Sequence, residues 1–371
     1  MAWLSGYTTR RKITIDNTKI DATLTDFPVL VSLTDANFDF AKANSDGFDL
    51  RFTAADGTTL LKYEREIHDS VNKVATYWVK VPSVASDADT YIYVYYRTTD
   101  TADGADPENV WDSNFVMVQH LKDNTTSATL DSTSNNNDGT KKGANEPIEA
   151  TGKIYKAQDF DGSNDYINYG NVGFTATDLI TIEAWVKTSG VVDKNIWIVN
   201  KGYTSHANPY YEYALLIRRT NDGGGNAAVY IVIDGTVRTV KDANAWADNA
   251  WHYIYAVYDG SSLKVGGDLE APASVDYSGD LSNYETNAMI GAPTNSAAEG
   301  YFDGLIDEVR LSKTNRSAAW IKASYNSGAG SLLSVGSEIS TQVKSINGLA
   351  IASIKSKNGL AIDSIKSING L

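Results

Sequence analysis

The sequence predicts an all-β protein: two antiparallel β-sandwiches of jelly-roll type in tandem, then a short C-terminal β-repeat. Three observations carry that prediction. Short runs rich in Val, Ile, Thr, Tyr and Phe recur between clusters of turn residues through most of the chain, as in sheets built from short strands. Only one segment keeps a helical period. Near the C-terminus an 11-residue unit repeats with Asn-Gly in each copy.

The first predicted domain spans residues 1–112. Its strand candidates are Arg11 to Ile15, Pro28 to Leu33, Phe48 to Phe52, Leu60 to Ile67, Tyr77 to Val81 and Tyr91 to Tyr96. Asp56-Gly57 is a hairpin signal ahead of the fourth. Thr98 to Pro107 reads as a polar, acidic linker. The second domain spans 113–340, again strand and turn, with Asp123 to Asn145 an Asn-, Ser- and Thr-rich loop. Ser317 to Tyr325 follows a capping-type Asn315 and places Ala318, Ile321 and Tyr325 on one helical face.

The third zone, 341–371, holds two copies of the unit, Val343 to Ser353 and Ile354 to Ser364, and a truncated third from Ile365. An 11-residue period also suits a right-handed helical coil. Asn-Gly in every copy argues instead for β-segments turning at Asn347-Gly348, Asn358-Gly359 and Asn369-Gly370. So small a unit cannot bury its apolar row alone. It is expected to mediate self-association or docking to a larger assembly; a flexible tail is the plain alternative.

The chain has 371 residues, with 46 acidic against 32 basic, a net charge of -14. That balance argues against nucleic-acid binding and against unaided docking on anionic membranes. The absence of cysteine excludes disulfides, thiolate metal sites and Cys nucleophiles. The four histidines, His68, His120, His206 and His252, are widely spaced, so a His-rich metal site is not expected. No apolar run reaches the roughly 18 residues of a membrane helix. Residues 1–12 lack the apolar stretch of a secretory signal. The expected location is extracellular or a virion surface, reached by host lysis or a dedicated secretion system.

Two resemblances extend this reading. The first zone resembles the domain of unknown function 2341, through Trp3, Tyr7, Arg10 to Ile15, Asp26 to Val31, Asp46 to Phe52, Trp78 to Pro82 and Ile92 to Tyr96. Arg97 stands where that family usually has glycine. The second zone resembles a laminin-G/concanavalin-A-like jelly roll. Its matching segments are His120-Leu121, Asp131-Ser132, Asn137 to Thr140, Gly152-Lys153, Phe160 to Ile167, Ile182 to Val186, Trp251 to Tyr253, Tyr258 to Gly260 and Phe302 to Leu311. This resemblance implies two facing sheets and a module that binds glycans or proteins, or serves as a spacer. The repeat is similar to tails of phage structural proteins.

Related jelly rolls include glycosidases, which need paired carboxylates. The glucanase pattern Glu-x-Asp-x-x-Glu is absent. Glu64 and Glu66 share a strand face but show no acidic third partner in sequence, and the neighbours Asp307 and Glu308 should point to opposite faces. Gly223 to Gly225 lacks the Lys of a phosphate loop and reads as a hairpin tip. The expectation is no enzymatic activity. Calcium, as a structural ion, is the cofactor considered. Asp131, Asn137 and Asp138 offer hard oxygen ligands in one loop, and Asp307 lies where related modules place a calcium ligand. Asx turns are the plain alternative for the Asp131 loop. The sugar-binding candidates are Tyr203, His206, Tyr210 and Tyr211 in a loop-like stretch, and Trp246 in the Asp242 to Asn249 loop. The combined expectation is a non-enzymatic surface or virion adhesion protein with a glycan-binding jelly roll. The alternatives are a purely structural fibre or decoration subunit, and a secreted polysaccharide-active enzyme.

Overall fold

The computed structural model describes residues 2–98, 102–124, 127–143, 146–172, 179–188, 194–202, 211–219, 224–293 and 300–341, and the backbone of 345–346, 349–350, 356–357 and 360–361. The protein is all-β, as expected. The first sandwich contains β1 (Thr9–Ile15), β2 (Leu24–Thr34), β3 (Arg51–Thr53), β4 (Tyr63–Asp69), β5 (Val74–Val84) and β6 (Thr90–Tyr96). The second contains β7 (Phe115–Gln119), β8 (Ala128–Thr129), β9 (Gly139–Lys141), β10 (Ile148–Thr151), β11 (Lys156–Asp161), β12 (Ile167–Asn168), β13 (Ile180–Lys187) and β14 (Ile196–Gly202). It continues through β15 (Tyr211–Ile217), β16 (Asn226–Ile233), β17 (Thr236–Ala245), β18 (His252–Tyr258), β19 (Ser262–Gly267), β20 (Ala273–Asp276), β21 (Ala288–Ile290) and β22 (Asp303–Ser312). Helix α1 (Ala318–Gly328) and β23 (Leu333–Ser340) follow.

In the second sandwich, β10-β11-β22-β13-β18-β19-β20, with β7 on β22, faces β17-β16-β15-β14-β21-β12-β9-β8. All pairings are antiparallel, and period-2 alternation sends Ile182, Ala184, Val186, Leu215, Ile217, Val229 and Ile231 into the space between the sheets. In the first sandwich, β2-β5-β4 faces β23-β1-β6-β3. The order of that second sheet corrects two sequence-based boundaries. Residues 333–340 belong to the first sandwich, because β23 pairs with β1 from Thr9↔Ser340 to Ile15↔Leu333. The Thr98 to Pro107 stretch, where described, folds back on the first sandwich: Arg65 binds Asp103 and Lys62 binds Asp106.

Helix α1 is capped by Ser317, whose hydroxyl accepts from Trp320 N, and not by Asn315. It runs on to Gly328 because both its sides find partners. Trp320 packs on Phe27 at 4.8 Å and Tyr325 stacks on Trp185 at 5.6 Å. The helix therefore lies between the sandwiches. One continuous core joins Phe27, Trp78 and Val79 to Trp185, Tyr253, Tyr255 and Val257. Both faces of β13 are covered, which is why seven of its eight residues are buried. In the C-terminal zone Ile346 pairs with Leu349, and Lys357 with Leu360. These are two short ladders flanking Asn347-Gly348 and Asn358-Gly359, in the expected register. Asn369-Gly370 lies outside the described residues.

Candidate functional site

An aromatic platform lies on the outer face of the sheet containing β14, β15 and β16. Register builds it. Trp197 pairs with Leu216, which pairs with Ala228, while Asn200 pairs with Ala214, which pairs with Tyr230. Directly opposed residues share a face, so these six side chains lie on the side away from the core. Ala214 and Ala228 keep the floor shallow. Over it Trp197 meets Tyr211 at 4.9 Å and 36°, and Tyr211 meets Tyr230 at 5.6 Å and 36°. Tyr211 and Tyr230 are half-buried and pack against Trp197, which is 6% exposed. The Asn200 amide is fully buried and has no hydrogen-bond partner on either atom among the described residues. A shift of register between Trp197 and Val199 marks a bulge in β14, a device that re-aims side chains.

Of the sugar-binding candidates read from sequence, Tyr211 belongs to this platform. Tyr203, His206 and Tyr210 lie outside the described residues. Trp246 requires correction. It is 4% exposed, packs in the core of the second sandwich, and donates its indole N–H to Asp242 at 2.6 Å. β17 extends through Ala245 where a loop was expected, and this carries the ring inward. Trp197 and Tyr230 escaped the sequence reading. Both sit at alternating positions between core aliphatics, a signal that was there to use.

The second constellation lies where the sandwiches meet. Glu64 and Glu66 come from β4, Trp78 from β5, Trp111 from the segment before β7, His120 from just after β7, and Glu308 and Arg310 from β22. His120 Nδ1 lies 2.5 Å from Glu308 Oε1 and 3.8 Å from Glu66 Oε2; Nε2 lies 3.2 Å from Glu64 Oε2. The imidazole stacks on Trp78 at 5.8 Å and 15°. Trp78 donates to Glu66, and Trp111 to Glu64, each at 2.9 Å. Arg310 binds Glu308 at 2.7 Å and lies 4.4 Å over the Trp78 ring. The sequence joined only Glu64 and Glu66, as neighbours on one strand face. Glu64 and Glu66 do have a third acidic partner, Glu308, supplied by the other sandwich.

A bulge aims Glu308. Asp307 opposes Trp185 and Arg310 opposes Glu183, so β22 carries an extra residue there, and Glu308 takes φ 52°. It also falls where one edge of β22 changes partner, from β11 to β7. Left-handed backbone at a residue with a side chain costs about 1–3 kcal/mol. Burial pushes the Glu66 carboxyl up to about 7, assisted by Glu308. Burial alone would raise Glu64 too, but His120 overrides it and brings Glu64 down to about 2. The three carboxylates outweigh burial at His120 and hold its pKa well above the usual imidazole value.

The expected calcium ligands are arranged otherwise. Asp131, Asn137 and Asp138 do come together, but through hydrogen bonds to one another and to β7. Asp131 Oδ1 accepts from Val118 N and Thr133 N, and Oδ2 from Thr133 Oγ1 and Asn137 N. Asp138 Oδ1 accepts from Asp131 N. N–H and O–H donors thus occupy both Asp131 oxygens, which does not fit a calcium site. Asp307 stands apart from that loop, fully buried, accepting from Ile154 N on Oδ2. Burial, then Glu308, raises its pKa well above the usual carboxylate range.

The fold is a jelly roll joined to a second β-sandwich. Residues 161–322 match the concanavalin A-like lectin/glucanases superfamily, and residues 46–137 match the domain of unknown function DUF2341. The chain therefore carries a DUF2341 domain followed by a laminin-G-type concanavalin A-like domain. The DUF2341 match runs past residue 112 and takes in Glu64, Glu66, Trp78, Trp111 and His120. No curated protein sequence matches the chain. Among solved structures, it is similar to domain 4 of an extracellular arabinanase from Geobacillus stearothermophilus (18% identity, 56% of this chain and 97% of that one, TM-score 0.45). It is also similar to the binding domain of Paraclostridial Mosquitocidal Protein 1 (12%, 58% and 52%, TM-score 0.45). A third similar structure is a sialidase carbohydrate-binding module from Ruminococcus gnavus (17%, 40% and 84%, TM-score 0.35).

Proposed function

We propose that this is a non-enzymatic surface adhesion protein whose concanavalin A-like sandwich binds glycan on the Trp197–Tyr211–Tyr230 platform. The observation that supports this reading most directly is the adjacency of the three rings on an outer sheet face. Sugar C–H faces pack on aromatic rings, while polar groups nearby take the hydroxyls. The match to the concanavalin A-like lectin/glucanases superfamily covers the same residues and supports carbohydrate as the ligand class. In this reading the location is extracellular or a virion surface, and the repeat at 343–371 attaches the protein to further copies or to a larger assembly. The paired ladders at an 11-residue spacing support that attachment, since unpaired β-edges recruit other chains.

Glycan-array binding tests the reading. Full-length protein is expected to bind a restricted set of glycans, and Tyr211→Ala/Tyr230→Ala is expected to lose at least tenfold in affinity with unchanged far-ultraviolet circular dichroism. Glycan binding that survives the double variant places the ligand elsewhere. Absence of any binding leaves a structural subunit. Release of reducing ends from a polysaccharide panel would show an enzyme.

A further inference from the structure

We propose that Glu66, His120 and Glu308 bind one divalent transition-metal ion, with zinc as the reference ion, at the joint between the two sandwiches. The three residues are buried, and each offers a ligand atom within 4.8 Å of the others. Around a tetrahedral zinc with bonds of about 2.0–2.1 Å, ligand atoms stand roughly 3.3 Å apart. The distances of 2.5 and 3.8 Å from His120 Nδ1 to Glu308 and Glu66 bracket that value. Sub-ångström movement of the carboxylates would equalise them.

Three further features point to a cation. First, Glu66 Oε1 is buried without a hydrogen-bond partner among the described residues, an arrangement that costs free energy unless something else meets it. Second, Glu64 Oε2 lies 3.2 Å from Nε2, without a hydrogen bond among the described residues, while Nδ1 faces the other two carboxylates; a small rotation of the ring would make Glu64 the outer carboxylate that orients a ligating imidazole. Third, Glu64, Glu66, Asp307 and Glu308 are all buried, and the cations beside them are the Arg310 guanidinium, the His120 imidazole and the Lys122 ammonium, which donates to the Glu66 carbonyl at 2.9 Å. Carboxylates outnumber cations in a low-dielectric joint, and a divalent ion offsets that excess more fully than a single proton does. The donor set is nitrogen and oxygen with no sulfur, which suits zinc or manganese over copper(I) or iron–sulfur clusters.

The ligands come from both sandwiches, Glu66 from one and His120 and Glu308 from the other. The ion therefore acts as a clamp on their relative position, and its binding free energy adds to the stability of the joint.

The test uses the full chain, stripped with chelator and dialysed, then titrated calorimetrically with zinc, manganese and calcium chlorides. The expected result is one zinc or manganese per chain, a raised melting temperature, and an affinity lowered about 10–100-fold by Glu64→Gln. Cobalt(II) titration gives a second reading: visible absorption bands of a low-symmetry site, lost in Glu66→Gln and His120→Gln. Both variants are checked for folding by circular dichroism. Stripped, folded wild-type protein that takes up neither zinc, manganese nor cobalt overturns the proposal. So does stoichiometric binding unchanged in a folded Glu66→Gln or His120→Gln variant.

Discussion

Gly47 shows how one backbone position governs the packing around it. Its φ is +70°, and a Cβ there would lie 2.6 Å from the His68 ring and the Tyr77 hydroxyl. Both neighbours are buried and bonded to each other at 2.7 Å. Gly47→Ala is therefore expected to cost about 2–4 kcal/mol, from left-handed backbone plus overpacking, measurable as a lower urea midpoint at unchanged m-value. His68 itself carries a pH dependence. Burial brings its pKa down to about 4, below the ordinary value of 6.5. The unfolded chain takes up the proton first. The contribution of neutral His68 is complete above pH 6.5 and is lost as pH falls towards 4, by roughly 2 kcal/mol after allowing for partial solvent access. Urea titrations at pH 7, 5.5 and 4.5 should show that slope, and His68→Gln should flatten it; an equal slope in the variant would place the titrating group elsewhere.

At the scale of elements, β23 and α1 decide where the domains begin and end. β23 covers one edge of β1 along its whole length, and α1 covers β2, with Leu30 N donating to Ser327 Oγ at 3.0 Å. A fragment ending at residue 112 exposes the β1 edge and the faces of Phe27 and Trp78. It is expected to be unfolded or aggregated, whereas a fragment ending at 341 folds. Amide dispersion in heteronuclear NMR spectra of the two fragments checks this; a well-dispersed spectrum from 1–112 would contradict the shared architecture. Ending the chain at 332 should destabilise the first sandwich by removing β23 alone.

At the scale of the molecule, the two sandwiches share one hydrophobic core, from Ile13 to Leu332. Differential scanning calorimetry of residues 1–341 is expected to show one cooperative transition, not two, because neither sandwich can open without exposing that core. The C-terminal repeat makes the opposite prediction. Removing 342–371 should leave the melting transition in place and abolish higher assembly, which light scattering would detect. An identical particle size for the two chains would remove the repeat from the assembly role.

The all-β class, the two resemblances and the hairpin register of the repeat were all legible in local pattern; Tyr211, read as a loop residue, stands in β15. Strand periodicity and turn chemistry act over a few residues, and a reader of the chain has those residues side by side. Trp197 and Tyr230 needed only the same alternation carried one strand further. The rest needed three dimensions. Asp131 looked like a calcium ligand until its oxygens met the N–H groups of Val118 and Asn137. Trp246 looked like loop until β17 ran through to it. The return of β23 to β1 spans more than three hundred positions, from Thr9 to Ser340. The meeting of Glu66, His120 and Glu308 joins segments far apart in sequence and depends on a bulge at Glu308. Composition and period describe which face of an element is apolar. Which faces meet is set by the packing of whole sheets, and buried charge is assembled only there.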